Sequence, residues 1–265
     1  MLIDALILLA TGALAGFLAG LLGIGGGLVI VPALLVLLAG RMPEYAMHVA
    51  VGTSLASIVL TSIASVRAHH GRGAVDWPVM ARLTPGLVLG SALAAAIAAA
   101  LSSLALTAIF GVFCLLVSLQ MMRGSGTADG SGPGPGAPEL VGAGTVIGTV
   151  SALVGIGGGS LTVPYLTWRG VAIHRAVGTS AACGLPIAVA GALGFVVTGW
   201  AIAGRPAPSV GFVWLPALLA IVVTSVPFAP LGARAAHALP TATLRRVFAG
   251  FLAFMGLNLL WQAFG

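Results

Sequence analysis

The sequence predicts an all-α polytopic membrane protein made of two inverted repeats, each a glycine-broken helical hairpin followed by three spanning helices. Three observations carry this expectation. Hydrophobic residues are 59% and charged residues 6% of the 265 positions, where a soluble domain carries about 25% charge. So few charges cannot cover a soluble surface, and a disordered chain or a nucleic-acid binder is excluded with it. Apolar stretches of spanning length recur along the chain without the alternation that a barrel strand needs. Two motifs occur twice, in the same order, on either side of a Gly/Ser/Pro segment.

A helix needs about 20 apolar residues to cross a bilayer of about 30 Å. The chain opens on an apolar stretch, 2–39, interrupted by a glycine cluster. Its start lacks a basic region and its apolar run exceeds a signal length, so it is expected to belong to the membrane domain. Spans are expected at 46–66, 78–98 and 104–122. Residues 124–138, GSGTADGSGPGPGAP, read as a linker that cannot bury enough surface to order itself. They divide the chain into a first repeat, 1–123, and a second, 139–265. The second opens on another glycine-interrupted stretch, 140–168, followed by spans at 177–199, 212–233 and 244–262. Small-residue pairs such as Gly12/Gly16/Gly20 and Gly86/Gly90 are spaced for close helix packing. The two cysteines, Cys114 and Cys183, lie inside apolar segments, so no disulfide framework is expected.

The repeat is explicit. Leu22-Gly-Ile-Gly-Gly-Gly27 and Val31-Pro32 recur 132 positions later as Val154-Gly-Ile-Gly-Gly-Gly159 and Val163-Pro164. His48-Val-Ala-Val-Gly-Thr-Ser54 recurs 126 positions later as His174-Arg-Ala-Val-Gly-Thr-Ser180. Arginine placement decides the relative orientation. All eleven cations are Arg, and the net charge of +6 is spread over loops rather than gathered in a patch. If each glycine stretch folds back without changing side, each half crosses three times and the halves are inverted. Nine arginines (67, 72, 82, 123, 169, 175, 234, 245 and 246) then share one side, against Arg41 and Arg205 on the other. A single crossing by each glycine stretch would split them five to six. Residues 140–154 and 159–168 give only about 22 Å and 15 Å of helix, which suits half-helices; 2–22 is long enough to cross alone.

A Gly-Ile-Gly-Gly-Gly break inside a bilayer needs protein or a water-lined cavity around its polar backbone. The helix after it presents free N–H groups and a positive dipole end, which together favour an anion. That helix begins either directly after the glycines or at Pro32 and Pro164. Paired broken helices in inverted repeats point to a substrate site near the midplane. The candidate binding residues are Gly25, Gly26 and Gly27, their counterparts Gly157, Gly158 and Gly159, and Ser160, which stands where the first repeat has Leu28. Thr53, Ser54, Thr179 and Ser180 follow at about midplane depth; their hydroxyls either donate to an oxyanion or bond a carbonyl one turn back. His48 and His174 begin equivalent helices and are candidates for a proton role, against an interfacial placement with satisfied rings. His69 and His70 are expected in a solvated loop. No cluster has the spacing of a metal site or a nucleotide loop, so no metal, cofactor or catalytic residue is expected. No Asp, Glu or Arg falls at the centre of a span.

These motifs resemble the sulfite exporter TauE/SafE family of membrane permeases. The resemblance rests on Gly16-Phe-Leu-Ala-Gly-Leu-Leu-Gly-Ile-Gly-Gly-Gly-Leu-Val-Ile-Val-Pro32 and its repeat at Gly148 to Pro164. It also rests on Ala50-Val-Gly-Thr-Ser54, Ala176-Val-Gly-Thr-Ser180 and the loop His69-His70-Gly-Arg-Gly-Ala-Val-Asp-Trp77. The second half departs from it, since Phe195-Val-Val-Thr-Gly-Trp200 has no His-His-Gly. The resemblance implies transport of sulfite, organosulfonates or related oxyanions, in agreement with the anion site read from the residues. The expected partners are a small anionic substrate and the lipid bilayer of the cell membrane, with no nucleic acid and with a homo-oligomer left open. The expected function is a secondary transporter with alternating access; the alternative is a passive anion channel. A membrane-embedded enzyme lacks a nucleophile or an acid/base pair at depth, and a scaffold has no need of duplicated broken helices.

Overall fold

The computed structural model describes residues 2–23, 25–123, 137–238 and 241–264; most of the linker lies outside them. Ten helices lie among these residues. They are α1 (Leu2–Leu22), α2 (Gly27–Leu38), α3 (Ala46–His70), α4 (Trp77–Ala99) and α5 (Ser103–Arg123) in the first half. In the second half they are α6 (Ala137–Leu153), α7 (Gly159–Trp168), α8 (Ile173–Gly199), α9 (Leu215–Ala238) and α10 (Thr241–Phe264). Seven of them, α1, α3, α4, α5, α8, α9 and α10, are long and apolar enough to cross a membrane. The expected spans are all present. Among the described residues the one departure from an all-α chain is a two-residue antiparallel ladder, β1 (Ser209–Val210) with β2 (Val213–Trp214), in the loop before α9.

Helix ends follow local chemistry. Asp76 caps α4 by accepting from the Val79 N–H at 3.2 Å, with Pro78 in the first turn where no N–H is needed. Helices α2 and α7 begin directly after the glycines, not at the prolines. Gly26 and Gly158 each take a left-handed φ of 79° and reverse the chain within one residue. The Gly26 carbonyl then accepts from Val29 and Ile30, and the Gly158 carbonyl from Leu161 and Thr162, so the first turn closes at once. Pro32 and Pro164 sit inside the helices.

Both halves pack in the same pattern. α1 lies on α9, and its counterpart α6 lies on α4; α3 meets α9 while α8 meets α4; α3 and α8 cross at the centre, and α5 pairs with α10. The first hairpin arm of each half is therefore held by the other half. Small residues make this approach. A Cβ on Gly16 would strike the Ser225 carbonyl of α9, and one on Gly90 would strike the Thr145 carbonyl of α6. Gly12 and Gly20, Gly86, and Gly144 and Gly148 on the facing helix repeat the contact, as their spacing predicts.

Two ion pairs fix where the hairpins lead. Arg41, beyond α2, meets Asp4 at the start of α1 at 3.0 Å, and Arg169, beyond α7, meets Glu139 at the start of α6 at 2.8 Å. Each hairpin thus returns to the end of the bundle at which it began, although α1 is long enough to cross.

Candidate functional site

The glycine breaks pass each other in the middle of the bundle. A Cβ on Gly25 would stand 2.8 Å from the Gly157 Cα, and both glycines pack on the Ile58 side chain. Ile58 lies about 18 Å along α3, itself about 37 Å long, so this contact is at mid-depth. Only a backbone without side chains fits there. Gly27 packs against the Gly155 carbonyl just as closely.

Each Gly-Thr-Ser motif grips the opposite half through three contacts. Gly52 packs on the Phe212 carbonyl, the Thr53 hydroxyl accepts from the Trp214 N–H at 2.9 Å, and the Ser54 hydroxyl donates to the Gly155 carbonyl at 2.7 Å. Gly178 packs on the Ala74 carbonyl, the Thr179 hydroxyl accepts from the Asp76 N–H at 2.9 Å, and the Ser180 hydroxyl donates to the Gly23 carbonyl at 3.2 Å. Gly23 and Gly155 occupy equivalent places in the two breaks. The two sets of contacts are the same set exchanged between halves. In this conformation the hydroxyls bond the partner half's backbone and not a carbonyl one turn back. All four are fully buried.

Beside the Gly25–Gly157 contact lies a narrow crevice, too tight for a water molecule. Ser62 and Ser65 of α3, and Ala181 and Gly184 of α8, complete its lining with Ala19 and Gly23. The Ser65 hydroxyl is buried without a protein partner. Sequence reasoning missed Ser62 and Ser65. The signal for them is their spacing from Ser54, which continues the same helical stripe through Ile58. Ser160 is buried in the first turn of α7, and its hydroxyl also lacks a protein partner.

The histidines separate. His48 is 2% exposed, bonds the Ala98 carbonyl through Nε2 at 3.0 Å, and packs against Tyr45 and Phe212. Its counterpart His174 is exposed at the start of α8. His69 is not in a solvated loop. α3 runs to residue 70, beyond the expected 66, and this carries His69 into the interior, where Nε2 meets the Gly20 carbonyl at 3.0 Å. His70 remains at the surface and accepts from the Trp77 indole at 3.2 Å. No group of three or more His, Cys, Asp or Glu side chains suited to a metal ion occurs among the described residues.

An open groove of about 750 Å³ lies at one end of the bundle. Arg67 and Arg72 of α3 and Arg234 of α9 line it. Such a concentration of one sign of charge draws small anions toward that end.

Comparisons with known proteins place the chain among membrane transporters. The profile of the family described as "Sulfite exporter TauE/SafE" matches residues 8–259. A "Probable membrane transporter protein" of Haemophilus influenzae is 39% identical over 260 residues, covering 96% of this chain and 97% of that one. A protein of the same description from Methanocaldococcus jannaschii is 26% identical over 257 residues, covering 96% and 94%. One from Xylella fastidiosa is 28% identical over 197 residues, covering 73% and 72%. No solved structure matches the chain. With the profile spanning both glycine hairpins and both Gly-Thr-Ser helices, this multi-pass membrane transporter of the cell membrane belongs to the sulfite exporter TauE/SafE family.

Proposed function

We propose that the protein is a secondary carrier of small sulfur-containing oxyanions, such as sulfite or an organosulfonate, working by alternating access between two inverted repeats. One observation carries the reading: two glycine breaks meet backbone to backbone at mid-depth, each held by the Gly-Thr-Ser motif of the other half. The free N–H groups that begin α2 and α7 point a positive dipole end at this place, and no fixed carboxylate opposes an anion there. The return of both hairpins to their own end of the bundle supports the inverted arrangement.

In the carrier reading the conformation described is closed. Anions collect at the arginine groove and enter when the halves part at the hairpin contact. Ser54 and Ser180, released from the Gly155 and Gly23 carbonyls, then donate to the substrate. Thr53 and Thr179, Gly25 to Gly27, Gly157 to Gly159 and Ser160 complete the donors. If a proton accompanies transport, buried His48 is a better candidate than exposed His174. A crevice too narrow for water at the hairpin contact is what a carrier in its closed state requires.

The test is counterflow of labelled sulfite in proteoliposomes, with methanesulfonate, taurine, thiosulfate and sulfate as competitors. Saturable exchange is expected, and Gly157→Leu is expected to abolish it. Conductive flux without counterflow would replace the carrier by the channel. Silence of sulfite and of every competitor in folded protein would remove the sulfur-anion assignment.

A further inference from the structure

Three hydroxyls of the second hairpin are buried without a protein partner: Ser151 near the end of α6, and Ser160 and Thr162 in the first turn of α7. They are 0%, 7% and 0% exposed. Neighbouring hydroxyls on the same helices behave in the ordinary way. Thr145 and Thr149 bond the carbonyls of Val141 and Thr145, and Thr167 bonds that of Val163. A buried hydroxyl without a partner is costly, so three in one hairpin invite an acceptor from outside the protein.

They converge. The Ser151 Oγ and the Thr162 Oγ1 each lie 3.5 Å from the point where a Gly158 Cβ would stand. Gly158 begins the ten-residue helix α7, and no side chain caps that end. The Gly159 and Ser160 N–H groups at that end have no acceptor within the helix.

The first hairpin is built otherwise. Ala19, Leu28 and Ile30 stand at the three equivalent positions. A Cβ on Gly26, the counterpart of Gly158, would meet the Ala15 carbonyl oxygen at 2.7 Å and the Ala15 Cβ at 3.0 Å. Gly26 is pressed onto its own hairpin arm, whereas Gly158 faces hydroxyls and the tip of Ile187. The helices packed against α6 and α7 bring no fixed charge: 46–66 of α3, 83–99 of α4 and 176–199 of α8 hold no Asp, Glu, Lys or Arg.

We infer that the anion is held chiefly by the second hairpin, through Ser151, Ser160, Thr162 and the N-terminal N–H groups of α7, and that this neutral cage selects singly charged sulfur oxyanions over doubly charged ones. The inference rests on the sulfur-oxyanion reading above. Its physical basis is that desolvation cost rises with the square of the charge, while attraction to neutral donors rises only linearly. A sulfonate or hydrogensulfite head suits such a site better than sulfate.

The experiment is competition of counterflow by methanesulfonate and sulfate at matched ionic strength, together with thermal stabilisation of the purified full-length protein by each anion. Methanesulfonate is expected to act at lower concentration than sulfate in both assays. Ser151→Ala and Thr162→Val are each expected to raise its half-saturating concentration about tenfold, equivalent to about 1.4 kcal/mol. Thr162→Ser is expected to restore it, which separates a donor role from a packing role. Ser160→Ala, which only removes a hydroxyl at a position where the first repeat is apolar, serves if the other variants fold poorly; it too is expected to weaken binding. Unchanged concentrations in Ser151→Ala, Thr162→Val and Ser160→Ala would overturn the inference while leaving the carrier reading in place. Equal or tighter action of sulfate would overturn the charge selection. Parent protein indifferent to every sulfur oxyanion would remove the carrier reading, and this inference with it.

Discussion

Ser54 and Ser180 do the same work in opposite halves, and each donates to a carbonyl in a break where no helix supplies a donor. Replacing one by Ala leaves that buried carbonyl without this donor, which costs about 1–3 kcal/mol. Ser54→Ala and Ser180→Ala are therefore each expected to lower the melting temperature of the purified protein by several degrees, and together by nearly the sum. A melting curve in detergent reads both. Gly26 differs from Gly158 in the same test. An alanine at either is strained by its left-handed φ, by about 1–3 kcal/mol, but at Gly26 it also strikes the Ala15 backbone. Gly26→Ala is expected to be the more destabilising of the two, and equal melting temperatures would contradict the asymmetry of the hairpins. The repeated glycines and hydroxyls were legible from sequence as a candidate site. Their partners were not, because Ser54 and Gly155 stand 101 residues apart and nothing local links them.

At the scale of the element, the hairpins decide topology. Arg41 and Arg169 each close an ion pair with the first residues of their own hairpin. Both pairs are partly exposed, so they report geometry more than they add stability. Cysteines placed singly at 41 and 205 are expected to react with an impermeant thiol reagent from one face of the membrane. Cysteines at 67, 72 and 234 are expected to react from the opposite face. The native Cys114 and Cys183 are buried and give little background. Reaction of position 205 from the face of 67, and of 234 from the face of 41, would refute the inverted topology. The spans themselves were readable because twenty apolar residues in sequence leave few alternatives. The first hairpin was less plain, since α1 has the length of a full crossing; the Asp4–Arg41 contact shows where the chain returns. His69 was misplaced for a related reason: polar residues near a helix end look solvated until a neighbouring helix, here α1, covers them.

Across the whole molecule, the exchanged grips join the halves at two levels, one through Thr53 and Trp214, the other through Thr179 and Asp76. Alternating access requires one level to open while the other stays closed. Cysteine pairs at 53/214 or 76/179, in a background without the native cysteines, are expected to form disulfides on oxidation. Either disulfide is expected to arrest whatever counterflow the reduced variant retains, and reduction to return it to that level. Full transport with both levels cross-linked would show that the halves do not part there.

The sequence by itself determined that the chain lives in a bilayer, where its helices run, that it is duplicated, and which motifs are special. Composition, apolar length and repetition are local or additive properties, and they survive in a string of letters. Only the tertiary structure decided that each Gly-Thr-Ser motif serves the other half, and that the second hairpin brings its own unpartnered hydroxyls beside Gly158. These depend on which backbone groups meet across the bundle. Ser151 and Thr162 read as ordinary helix hydroxyls until packing brings both beside Gly158 and leaves neither with a partner.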